Sequence, residues 1–136
     1  MGSTEVLSAV VYEAGLLRAV ELSRFGSTSS RIASVALVFE RLRLLISVDP
    51  SSDEVVLMCG DRSPDSRSVL HDVSREDPWR EMIGQDLPWS WILTNQQNYT
   101  DGVRFEFPSG DDSHGFSFEL IAAASALRVY VPRRVG

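Results

Sequence analysis

The segment Val103-Arg104-Phe105-Glu106-Phe107 alternates apolar and charged residues without exception, and Phe116-Ser117-Phe118-Glu119-Leu120 alternates in the same way. Successive side chains of a β-strand point to opposite faces, so a period of two predicts two strands that each bury one face. The eight residues between them, Pro108–Gly115, are almost all turn formers, which predicts an antiparallel hairpin. The side chains expected to point inward are Phe105, Phe107, Phe116 and Phe118.

A second hairpin is predicted upstream of the first. Alternating strands at 42–48 and 54–59 flank the turn-forming residues Asp49–Asp53, and residues 88–94 supply a fifth strand. Weaker patterns of the same kind lie at 16–23, 35–40 and 127–131. The sequence thus predicts a mainly β (α+β) fold, with residues 1–136 forming a single antiparallel β-sheet domain built from hairpins, with one or two short helices.

Helix signals are few. Asp77-Pro78 offers an N-cap followed by proline, the apolar residues Trp79 and Met82 come three apart, and Gly84 is a natural end, which predicts about two turns of helix. Residues 63–75 are polar and are interpreted as a loop.

Residues 4–14 allow two interpretations. Leu7, Val10 and Ala14 would share one face of a helix ended by Gly15, but the apolar residues of this segment also permit a strand. We favour the helix.

Composition places the chain among ordinary globular proteins. Of its 136 residues 43% are hydrophobic and 24% charged, enough to bury a core without disulfides, and Cys59 is the single cysteine. No basic region followed by an apolar run opens the chain, and its longest apolar stretch is far shorter than a bilayer-spanning helix. We therefore expect a soluble cytoplasmic protein without membrane contact. The oligomeric state is left open.

The acidic side chains are unevenly distributed. Residues 49–119 carry 15 acidic and 5 basic side chains, whereas the formal net charge of the whole chain is −6. Such a surface repels phosphate backbones, which disfavours nucleic-acid binding, and attracts basic protein partners. The alternative is that the acidity serves only solubility.

No pattern of catalytic, cofactor-binding or metal-binding residues stands out. His114 lies beside Asp111 and Asp112, but no second histidine or cysteine has the spacing of a metal ligand. His71 has no nucleophile motif near it, and Cys59 ends an apolar strand without a neighbouring cation to favour a thiolate. The prediction is a protein that is not an enzyme and needs no cofactor or metal.

The segment 87–102 is chemically unusual. Trp89 and Trp91 share one face of a predicted strand, and the more conservative interpretation places both in the core. After the strand come four consecutive amide side chains and a tyrosine, which suit recognition of polar or backbone groups. The alternative is a purely structural turn. The predicted partner-binding residues are Asn95, Gln96, Gln97, Asn98, Tyr99 and Asp101.

This segment also carries a family resemblance. Trp89–Gln97 with Tyr99 and Asp101-Gly102, then Phe105–Phe107 and Ala122–Leu127, resembles an uncharacterised family of small bacterial proteins found near polymorphic toxins. The resemblance covers residues 87–131 and implies a setting, but no catalytic residues.

Two functions follow as hypotheses. The first is a non-catalytic protein-binding module, an immunity or antitoxin-like protein that blocks a cognate toxin, expected to be a basic domain, by occluding its surface. The alternative is a small-ligand-binding β domain with an aromatic pocket lined by Trp79, Trp89, Trp91 and Tyr99.

Overall fold

The computed structural model describes residues 2–26, 30–60, 70–107 and 116–131, with the side chain of Phe116 outside that description. They form one helix, one 3-10 turn at Trp79–Met82 and nine strands. The helix is α1 (Ser3–Glu13), and the strands are β1 (Leu17–Arg24), β2 (Ile32–Phe39), β3 (Arg43–Asp49), β4 (Glu54–Gly60), β5 (His71–Asp72), β6 (Trp89–Thr94), β7 (Thr100–Phe107), β8 (Phe116–Ala123) and β9 (Ala126–Tyr130).

The strands make one curled antiparallel sheet, as the alternation predicts. Its order is β4-β3-β2-β9-β8-β7-β6, with β1 along β2 and β5 along β1. In the described residues the two halves of the sheet are joined by one pair, Ile32 with Leu127. The sheet curls so far that β4 contacts β7, which brings distant turns together.

Both predicted hairpins are confirmed. β3 pairs with β4 from Asp49–Glu54 to Arg43–Gly60, and β7 pairs with β8 from Gly102–Ile121 to Phe107–Phe116. The weaker strand predictions are confirmed as β1, β2 and β9. The loop Pro108–Gly115 lies outside the described residues.

The core lies inside the curl of the sheet. Phe105, Phe107 and Phe118 are fully buried, as predicted, whereas the prediction for Phe116 falls on a side chain that is not described. The ring of Phe118 stacks on Phe105 at 5.1 Å between centroids and on Phe107 at 6.3 Å. This cluster of rings joins the inner faces of β7 and β8.

The N-terminal segment is a helix, so the favoured interpretation is confirmed and the strand is wrong. Val6, Leu7 and Val10 of α1 are buried, and Gly15 at φ 82 directs the chain into β1. The helix contacts both β4 and β6, the two ends of the strand order, and so lies across the gap between them. Among the described residues, no helix is both long and apolar enough to cross a membrane.

The second predicted helix is too long. Only the single 3-10 turn Trp79–Met82 forms, because Ile83 is already extended and Gly84 donates its N–H to the carbonyl of Leu17 at 2.7 Å. The bond from the N–H of Leu17 to the carbonyl of Gln85, at 2.8 Å, then ties the segment to β1. The predicted helix therefore ends early because Gly84 and Gln85 form backbone hydrogen bonds with Leu17 of β1.

The polar loop predicted at 63–75 also needs correction. Its residues His71 and Asp72 form the short strand β5, which pairs with Leu22 and Glu21 of β1. Residues 61–69 lie outside the described part of the chain.

Candidate functional site

Three turns meet at one end of the sheet. The predicted partner-binding segment Asn95–Asp101 contains the turn between β6 and β7 and the first two residues of β7, and it lies beside the β3–β4 turn and the β8–β9 turn. Two hydrogen bonds hold them together. The N–H of Thr100 donates to Oε2 of Glu54 at 2.9 Å, and the N–H of Ser125 donates to Oδ1 of Asp53 at 2.8 Å.

Asn95 organises its own turn. Its Oδ1 accepts the N–H of Gln97 at 2.9 Å and the N–H of Tyr99 at 3.2 Å, an arrangement typical of an Asx turn. The backbone closes the same turn, with the N–H of Asn98 donating to the carbonyl of Asn95 at 2.9 Å. Asn98 itself has φ 70, a left-handed conformation that asparagine tolerates better than most residues. These two amides therefore shape the loop.

Gln96, Gln97 and Tyr99 have a different role, because their side chains are exposed. Tyr99 keeps 48% of its surface accessible although the backbone on either side of it is hydrogen-bonded. The loop thus presents an amphipathic ring and two amide side chains from a fixed support, which is the arrangement that partner recognition needs.

The three turns enclose an open groove of about 530 Å³. Its lining is mainly polar and consists of Ser51, Ser52, Asp53, Asn95, Gln97, Tyr99, Asp101 and Ala122. Four of the six predicted partner-binding residues therefore lie around one depression, and residues 51–53 and 122 join them from distant parts of the sequence.

Part of the acidity of residues 49–119 lies around the groove. Asp53 and Asp101 line the groove, and Asp49 is the last residue of β3, just before the turn that carries Asp53. Hydrogen bonds from the hydroxyl and the N–H of Ser51 hold the pKa of Asp49 below its ordinary value, which keeps the carboxylate charged. Asp77, by contrast, lines a separate depression with Val129 and Val131.

The interpretation of the two strand tryptophans as core residues is wrong. Trp89 is 54% exposed and Trp91 45% exposed. The register is the cause, because Trp91 pairs with the outward-facing Arg104 while its neighbour Ser90 pairs with the buried Phe105. The tryptophans consequently lie on the outer face of the sheet.

The aromatic residues of the alternative ligand pocket are spread over the molecule. Trp79 is in the core at 4% exposure, Tyr99 lies in the turn groove, and the other two tryptophans line a groove of about 440 Å³ between α1 and β6. Tyr12 of α1 borders the same groove. The described structure therefore does not bring the four rings to one site.

The outer face of β6–β9 is a second candidate surface, which sequence reasoning missed. Arg104 lies over the ring of Trp91, 5.6 Å from its centroid, and its Nη1 is 3.5 Å from Oε2 of Glu119. Tyr130 follows on β9, opposite Glu119. The alternation of β7 and β8 already marked Arg104 and Glu119 as outward-facing, but it did not show which side chains of β6 and β9 lie beside them.

Two titratable side chains of the described residues, Asp72 and Cys59, have structural surroundings. Asp72 accepts the N–H of Ser74 at 2.8 Å and its hydroxyl at 2.5 Å, which lowers the pKa of Asp72 and points its carboxylate at Ser74. Cys59 is a free, half-buried thiol packed against the core. Within the described ranges no three histidine, cysteine or acidic side chains are grouped as a metal site, and Asp111, Asp112 and His114 lie outside those ranges.

The model of a family of unknown function (DUF6334) matches residues 4–136, almost the whole chain. Neither a curated protein nor a solved structure matches the chain.

Proposed function

Because the chain belongs to this family of unknown function, DUF6334, no relative supplies an activity, and we propose a function from its surface. The protein is a non-catalytic protein-binding module of the bacterial immunity or antitoxin type, which acts in the cytoplasm and inhibits a toxin by occluding its surface. The observation that carries this proposal is the turn groove, in which Tyr99 and Gln97 stand exposed on a hydrogen-bonded support.

The chemistry of the groove favours a basic partner. Asp53 and Asp101 lie on the same depression as the exposed amide of Gln97, so a cationic side chain and a backbone amide would both find acceptors there. A tyrosine at the edge of such a groove is a suitable anchor, because it buries a large ring with little rotamer entropy to lose. The acidic surface would also speed association at low salt.

The toxin setting rests on a separate argument, the resemblance of residues 87–131 to small bacterial proteins that accompany polymorphic toxins. Most of the turn groove is built from that same stretch, from Asn95 to Ala122. The partner to test is therefore the protein encoded in the neighbouring reading frame.

Replacing Tyr99 and Gln97 together by alanine tests the groove. Both side chains are exposed, so the melting temperature is expected to change little, whereas binding of the neighbouring-frame protein should weaken by more than about tenfold, or about 1.4 kcal/mol. Titration calorimetry measures the binding and circular dichroism the melting temperature.

Two single variants serve as controls for this double variant. Tyr12→Ala removes an even more exposed tyrosine, on α1, and should leave binding unchanged. Asn95→Ala removes the acceptor of two turn hydrogen bonds and should instead lower the melting temperature. Unaltered binding by the Tyr99/Gln97 double variant would show that these side chains do not hold the partner. If the double variant unfolds, the loop is a structural turn and the proposal loses its main support.

A further inference from the structure

Four outward-facing side chains form one row across β6, β7, β8 and β9. The strand register pairs Trp91 with Arg104, Arg104 with Glu119, and Glu119 with Tyr130. The two aromatic ends of the row are 45% and 46% exposed, and the side chains of the charged pair between them are 37% and 26% exposed. The row therefore reads aromatic, cation, anion, aromatic.

Such a row is complementary to a second copy of itself in which the order of the four strands is reversed. A two-fold axis parallel to the strands, between β7 and β8, sets Arg104 of one copy opposite Glu119 of the other and Trp91 opposite Tyr130, each contact occurring twice. A two-fold axis perpendicular to the strands would instead set each charge opposite itself. We propose that this outer face is the contact between two copies of the chain, which pack face to face about the axis parallel to the strands.

The neighbouring positions fit the same arrangement. The row formed by Leu93, Gly102, Ile121 and Arg128 would set Gly102 opposite Ile121, a small residue against a large one. Glu106, which pairs with Ser117, would lie opposite that serine in the second copy. In these described rows, the two-fold axis places no two like charges opposite each other. Twisted sheets stacked in this way cross at about 30°, which displaces the outer positions more than the central row.

Size sets the expected strength. Four strands spaced about 4.8 Å apart and about six residues long give a face of about 19 by 20 Å. That is smaller than a standard specific interface, which buries about 800 Å² on each partner. We therefore expect a reversible dimer with a Kd in the micromolar range, held by the aromatic ends and aligned by the charges.

The dimer is independent of the proposed function, since it uses the outer face and leaves the turn groove open. An axis parallel to the strands also keeps both turn grooves at the same end of the assembly. A partner with two equivalent sites would then bind both copies at once, with a gain in avidity.

Charge reversal with mixing tests the arrangement. Arg104→Glu alone and Glu119→Arg alone each oppose like charges twice across the axis, so self-association should weaken by more than about tenfold in both. When the two variants are mixed in equal amounts, each contact joins opposite charges again, and a heterodimer should form. Sedimentation equilibrium at high micromolar concentration measures both results against the 15.1 kDa of a single chain.

The mixture separates contacts between copies from contacts within one copy. In each single variant the pair at 104 and 119 within the chain has like charges, and mixing leaves that pair unrepaired. Regained association can therefore come only from contact between chains. Arg75→Glu, an exposed charge change away from this face, should leave the dimer intact.

Three results would overturn the proposal: an unmodified protein that stays monomeric at high micromolar concentration, single variants that still dimerise, or a mixture that stays monomeric. If a charge variant fails to fold, Trp91→Ala and Tyr130→Ala replace it, because both rings are half exposed and their removal should weaken the dimer without unfolding the chain. Circular dichroism checks the fold of every variant.

Discussion

Replacing Phe105 by alanine is expected to lower the free energy of unfolding by about 3–5 kcal/mol. The ring is fully buried, and it stacks on Phe118 of the neighbouring strand at 5.1 Å with 28° between the planes. Its removal leaves a cavity in the middle of β7, between β6 and β8, where hydrogen-bonded strands on both sides restrict collapse. Both the lost burial and the unfilled space destabilise the fold.

Urea unfolding followed by circular dichroism measures this loss. Phe25→Ala is the matched control, because it removes the same kind of ring from an exposed site. Among the described residues, the ring of Phe25 contacts the guanidinium of Arg31. That change should cost less than about 1 kcal/mol. Equal losses in the two variants would contradict the burial of Phe105.

The hairpins were predictable because their alternation joins apolar residues with charges. In β7 a wrong choice of face would bury Arg104 and Glu106, so the sequence itself determines which side points inward. The same holds for β8, where Glu119 separates Phe118 from Leu120. Patterns of this kind need no knowledge of the neighbouring strand.

β6 lacks such a constraint, which is why its tryptophans were misplaced. Neither face of Trp89–Thr94 carries a charge, and hydrophobicity alone favours burying the two rings. The register with β7 decides otherwise, since it pairs Ile92 with Val103 and puts the small Ser90 opposite Phe105. Pairing over a distance overrides the local preference here.

The turn groove was predictable in one part only. The amide-rich loop can be recognised in the sequence as one segment. Asp53 and Ala122 come close to it only because the sheet curls, and no local sequence pattern predicts that contact. The strand β5 was missed for the same reason, because two polar residues form a strand only where β1 offers them a free edge.

The three tryptophans allow the largest contrast between buried and exposed sites. Trp79 is 4% exposed and meets the ring of Phe118 edge-on, at 5.5 Å and 81°, so Trp79→Ala should cost about 3–5 kcal/mol of unfolding free energy. Trp89→Ala removes the same side chain from the outer face and should stay within about 0.5 kcal/mol of the unmodified protein.

Chemical denaturation and fluorescence measure this contrast together. Trp79 is the one tryptophan in an apolar setting, so its replacement by alanine should remove the short-wavelength part of the native emission, whereas Trp89→Ala should remove emission at longer wavelength. Trp79→Phe is a further control, because it keeps an aromatic ring against Phe118 and should recover part of the stability. A Trp89 variant as unstable as the Trp79 variant would mean that the strand tryptophans are core residues after all. The pairing of β6 with β7 would then be shifted by one residue.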